Sequence, residues 1–155
     1  MGSAASVRKH PIHPMLIPFP IALWIFSFFA DLIYVLGFGG AVWADLAFYT
    51  MAGGLIGALL AAVPGVIDYR SISDPHVKRI ATWHMAVNVT VAVLFAVNLW
   101  LRIGQAPGTI FPVVLSTVGV LLLSISGWLG GELVYVYGIA VEDAPRAPVR
   151  RGRVA

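Results

Sequence analysis

The chain is divided into four long apolar blocks, at approximately residues 15–38, 46–67, 80–101 and 110–129. Each is close to the roughly 20 residues an α-helix needs to cross a bilayer, and helices suit lipid because they satisfy every backbone N–H and C=O internally. The composition agrees: 59% of the 155 residues are hydrophobic and 11% are charged, against roughly 25% charged in an ordinary soluble domain. The pattern predicts an all-α, integral membrane four-helix bundle forming one domain, residues 1–142. The connections expected at 37–40, 69–79 and 104–108 are short and carry Gly or Pro, so consecutive helices run antiparallel, up-down-up-down. Residues 143–155 are rich in Pro and Arg without an apolar period and are expected to form a disordered basic tail at the lipid headgroups.

Orientation follows from the basic residues. Arg8, Lys9, Arg70, Lys78, Arg79, Arg146, Arg150, Arg151 and Arg153 fall on the face shared by both termini and the second loop, with only Arg102 opposite. The positive-inside rule then places both termini in the cytoplasm of a bacterial inner membrane. The net charge of +3 is explained by contact with an anionic lipid bilayer, and nucleic acid is not an expected partner. No secretory cleavage pattern follows the first block, which is expected to stay in place. The absence of cysteine removes thiolate metal sites, iron–sulfur ligation and Cys nucleophiles, leaving His and carboxylate as ligands.

All four histidines, His10, His13, His76 and His84, map to the basic end. Neutral imidazole ligates haem iron, copper or zinc, and a two-histidine site needs rings from facing helices at one depth. His13 and His84 meet that requirement, with His10 as a substitute or second-site ligand. The plainer reading makes these residues interfacial anchors, with Pro11 and Pro14 shaping the chain entry. On the third block, His84, Asn88, Val91, Phe95, Asn98 and Arg102 follow helical spacing and predict a polar stripe facing the interior. Asn88, one turn from His84, can hold its ring or a cofactor group, or serve as interhelical glue.

Asp31 shares a face with His13, Trp24 and Phe28, and an ionisable group at that depth calls for a partner, for which Arg102 is placed. Asp68, Tyr69 and Arg70 predict a polar collar at the inner interface. Small residues recur as Gly53, Gly57, Ala61 and Gly65 on the second block and as Ser124, Gly127 and Gly131 on the fourth. Such faces pack helices tightly, clear space for a flat cofactor, or join two copies as a homodimer. There is no phosphate-cradling GxxxxGK, no HExxH and no convincing Ser/His/acid set, so autonomous hydrolysis or group transfer is not expected.

The motifs His10-Pro11-Ile12-His13-Pro14, Pro64-Gly65-Val66-Ile67-Asp68-Tyr69, His84 with Asn88, and Gly130-Gly131-Glu132-Leu133-Val134-Tyr135 resemble the predicted membrane proteins grouped as domain of unknown function 2231, over about residues 10–141. The resemblance implies a four-helix membrane domain. Some relatives are joined to Rieske-type ferredoxin domains, which implies electron transfer and a ferredoxin-type redox partner. Two positions depart from the pattern: Pro18, before Phe19-Pro20, and Tyr137, before Gly138, stand where many relatives carry His.

The preferred expectation is a membrane protein that binds haem b through His13 and His84, with Asn88 supporting the site, and passes electrons. The alternatives are a cofactor-free structural subunit, and a small proton or solute pathway along Asp31, Asn88, Asn98 and Asp68.

Overall fold

A computed structural model describes residues 2–104 and 109–141. The expected tail, 143–155, and most of the third connection lie outside the described residues. A two-residue antiparallel ribbon, β1 (Ser6–Val7) and β2 (His10–Pro11), turns through Arg8 and Lys9, both at positive φ (49° and 66°), the conformation a tight hairpin demands. Then follow α1 (Ile12–Leu16), α2 (Pro18–Val35), α3 (Val42–Ser71), α4 (Pro75–Arg102) and α5 (Ile110–Gly131), the last continued by a π turn at Glu132–Val136. Four spans, with α1 and α2 counted together, are long and apolar enough to cross a membrane.

The first span starts earlier than expected and is broken. Pro18 and Pro20 have no N–H to offer the carbonyls of Pro14 and Leu16, so the chain steps at Ile17 and restarts with proline in the first turn of α2, where a missing donor costs nothing. The second connection is shorter than the expected 69–79. Helix α3 continues to Ser71, and Pro75 opens α4 instead of breaking it, because Asp74 caps the helix by accepting from the backbone N–H groups of His76 and Val77 at 2.8 and 3.2 Å. Capping plus proline at the first helical position is a strong start signal. His76 therefore lies in the first turn of a helix, not in a loop.

In the bundle α2 packs on α3 and α5, and α4 on α5 and α3, which puts α2 and α4 on one diagonal. The two hairpins, α1–α2–α3 and α4–α5, are copies of one design. His13 and His84, Trp24 and Phe95, Ser27 and Asn98, and Asp31 and Arg102 are each separated by the same 71 residues. A second constant spacing relates Ala47, Gly54, Ala61 and Gly65 of α3 to Pro112, Gly119, Ser126 and Gly130 of α5. The contacts repeat with the positions. Ser27 Oγ donates to Ala47 O at 2.7 Å as Asn98 Nδ2 donates to Pro112 O at 2.8 Å, and Gly54 lies under the Trp24 ring as Gly119 lies under Phe95.

These pairs stack in three layers. In the middle Trp24 and Phe95 lie face to face across the bundle axis, centroids 4.5 Å apart and planes 8° from parallel, enclosed by Met51, Val91 and Leu123. The histidines occupy one end and Asp31 with Arg102 the other. Along α4, His84 to Phe95 is about 16 Å and Phe95 to Arg102 about 10 Å at 1.5 Å per residue, together close to the hydrocarbon thickness of roughly 30 Å.

At the ion-pair end, Arg102 Nη1 and Nη2 each donate to a different Asp31 oxygen at 2.6 Å, Arg102 Nε donates to Asn98 Oδ1 at 2.9 Å, and Ser116 Oγ donates to Asp31 Oδ2 at 3.2 Å. Asp31 is paired with Arg102 as its depth required, and the remaining polar atoms of the pair are also satisfied. The interior stripe on α4 is as expected. On α5 the expected small face is displaced: Ser124 and Gly127 are exposed, and a Cβ on Gly127 would touch nothing, whereas Ser116, Gly119, Leu123 and Ser126 are buried.

Candidate functional site

The histidine end is built from two matching seats. His13 Nδ1 lies 2.8 Å from Ala61 O on α3, and His84 Nδ1 lies 3.0 Å from Ser126 O on α5. A carbonyl oxygen can only accept, so each imidazole carries its proton on Nδ1 and its lone pair on Nε2. Helix carbonyls are ordinarily covered by the side chain one turn further on, which leans back over them. Here those residues are Gly65 and Gly130, and a Cβ would stand 2.8 Å from the His13 ring and 3.0 Å from the His84 ring. The glycines uncover the carbonyl and admit the ring in one stroke.

The small-residue face of α3 thus admits the protein's own rings. Besides Gly65, Gly54 takes the Trp24 indole and Gly57 the Pro20 ring. Asn88 Nδ2 donates to His84 O at 2.8 Å and stands 3.2 Å from His84 Nε2. Asn88 therefore does what its position one turn from His84 suggested, touching the ring directly.

His10 does not join this arrangement. It is exposed on the hairpin, its Nδ1 donating to Arg8 O at 2.9 Å. His76 is also exposed and pairs with the Tyr137 hydroxyl through Nε2 at 3.0 Å, tying the start of α4 to the segment after the π turn. Asp68 is buried, and its Oδ1 accepts from Ser3 Oγ at 2.7 Å and from Ala5 N at 2.9 Å. It pins the N-terminal segment over the end of the bundle, while Tyr69 bonds Thr82 and lies under the Lys78 ammonium. The Trp24–Phe95 layer lies between Asp68 with Asn88 and Asp31 with Asn98, so these polar groups stand at two ends of the bundle.

The donor set suits some groups better than others. Among the described residues no cluster of three or more His, Asp or Glu could hold a metal ion, so His13 and His84 are not by themselves a protein-only metal site. If a haem were bound, His13 and His84, each with Nδ1–H fixed on a carbonyl, would be the residues to hold it through Nε2. Both rings lie at one end of the bundle with Nε2 as the nitrogen able to ligate, and at His84 that nitrogen is in contact with Asn88.

Sequence reasoning missed Ser126, Gly130 and Gly119, and it missed the pairing of Trp24 with Phe95. The signal was present: with His13 aligned on His84, the 71-residue spacing carries Trp24 onto Phe95 and Asp31 onto Arg102.

No curated protein and no solved structure gives a significant match to the chain. The predicted membrane protein family DUF2231 matches residues 9–143, a stretch holding both hairpins, both histidine seats and the ion pair, and the chain belongs to that family.

Proposed function

We propose that the protein binds haem b at the histidine end of its bundle, with His13 and His84 as axial ligands, and takes part in electron transfer within the membrane. The observation that carries this reading is the pair of matched seats: two imidazoles, each with Nδ1 held by a helix carbonyl, which leaves Nε2 as the nitrogen able to ligate. Haem supplies one-electron chemistry when bound. The chain's own residues fix ring orientation through Ala61 O and Ser126 O. The buried Trp24–Phe95 layer closes the bundle beneath.

Exposed Arg8, Lys9, Arg70 and Arg79 stand at the histidine end, whereas Arg102 at the other end is neutralised by Asp31. By the positive-inside rule the histidine end faces the cytoplasm of the inner membrane, and a soluble redox partner of the ferredoxin type approaches from that side.

A cofactor-free structural subunit is the second reading. It is favoured by the glycine clefts already filled with the protein's own rings and by the contact of Asn88 with His84 Nε2. The deciding measurement is an absorption spectrum of detergent-purified protein, oxidised and then dithionite-reduced, repeated on His13→Ala and His84→Ala. A near-stoichiometric haem band lost in both variants is expected. A flat wild-type spectrum after expression with ample haem overturns the proposal in favour of the cofactor-free subunit.

A further inference from the structure

The internal repeat makes His13 and His84 equivalent in place, and they differ at both ring nitrogens: Ser126 Oγ stands 3.2 Å from His84 Nδ1 where Ala61 has no hydroxyl, and among the described residues Nε2 has a partner in His84 alone. Asn88 Nδ2 stands 3.2 Å from His84 Nε2 and donates to His84 O at 2.8 Å. The carbonyl oxygen fixes which end of the amide faces it, and the two amide protons then serve the two acceptors. The 71-residue spacing that relates the hairpins places Ile17 at the position of Asn88. Ile17 lies where the first span steps and has no side-chain donor to offer. No described residue bonds His13 Nε2, so the lone pair of His84 is held and that of His13 is open.

We propose that Asn88 is a positioning residue that holds His84 in reserve. It orients the ring and occupies the nitrogen that would ligate, so that His84 ligates only once the Asn88 amide turns away, a cost that His13 does not meet. The inference rests on the haem reading for the ligand's identity but not for the hold itself. The hold has a physical consequence in the cofactor-free protein: a hydrogen bond from a protein amide on one imidazole lone pair and none from a described residue on its counterpart. An Asn88→Ile variant puts the first hairpin's residue at the equivalent position of the second and replaces the amide with a hydrocarbon that can neither donate nor accept.

The test uses the full chain in detergent, labelled with 15N-histidine and free of haem. Both histidines are expected as Nδ1–H tautomers, with the Nε2 resonance of His84 upfield of that of His13. In Asn88→Ile the His84 Nε2 resonance moves downfield to the His13 value while His13 stays put, and Asn88→Ser, too short to reach the ring, gives the same shift if the isoleucine variant does not fold. Titrated with ferric haem, the variant binds about fivefold more tightly than wild type, the loss of one hydrogen bond, and has a larger low-spin fraction. A His84 found as the Nε2–H tautomer, or a His84 resonance unmoved in both variants, overturns the hold. If neither wild type nor variant takes up haem, the ligand role falls together with the haem reading, while the nitrogen shift still decides whether Asn88 holds His84.

Discussion

Asp31 and Arg102 occupy the same position in the two halves of the bundle and close on each other across its axis through two hydrogen bonds of 2.6 Å. A duplicated hairpin with the same charge at both positions would set two like charges together in a buried layer, at a cost of several kcal/mol. Opposite charges turn that liability into the clamp that holds the hairpins at this end.

Breaking the clamp by Asp31→Asn or by Arg102→Met is expected to cost about 3–5 kcal/mol, because the partner is left buried and uncompensated. The exchange Asp31→Arg with Arg102→Asp puts each charge at the equivalent position and recovers more than half of that loss. Unfolding midpoints in mild detergent check this, and an exchange as damaging as either single change would refute the equivalence of the two positions.

Gly54 and Gly119 are expected to tolerate no side chain. A Cβ would approach the Trp24 ring to 2.6 Å and the Phe95 ring to 2.8 Å, and both rings are locked in the central stack. Gly119→Ala costs about 1–3 kcal/mol by overpacking, and Phe95→Leu in the same chain relieves part of it. Gly127→Ala, with nothing near its Cβ, leaves thermal stability unchanged and is the control.

The histidine seats make a parallel prediction. Gly130→Ala presses on the His84 ring and Gly65→Ala on the His13 ring, and each weakens its imidazole–carbonyl bond by about 1 kcal/mol. The 15N resonance of Nδ1 reports the change at one histidine and not at the other. An effect of either substitution on both rings alike would contradict separate seats.

Asp68 holds the N-terminal segment through two hydrogen bonds to one carboxylate oxygen. Asp68→Ala is expected to speed trypsin cleavage at Arg8 and Lys9 at least tenfold, since hydrogen bonds to a charged group contribute about 1.5–3 kcal/mol each. Cleavage at the wild-type rate would show that the segment is held by other contacts.

The four spans were legible because membrane helices are fixed by length and hydropathy, both local properties. The interior stripe from His84 to Arg102 was legible for a related reason: on a helix, spacing dictates face. The start of α4 was misjudged because Asp74-Pro75 reads as a breaker until one asks which backbone donors need caps. On α5, Gly127 and Gly130 look alike in sequence, and only packing tells that one faces outward while the other lies under His84.

By itself the sequence determined that this chain forms four apolar helices with its histidines at the basic end, because burial of backbone polar groups in lipid leaves no other structure for such blocks. Tertiary structure alone decided which carbonyl each imidazole meets, which glycine each ring overlies, and that Asn88 reaches only one of the two histidines. Those contacts depend on the rotation of each helix about its axis and on the match of one helix's ring to another's gap, relations between segments distant in sequence that no local pattern carries.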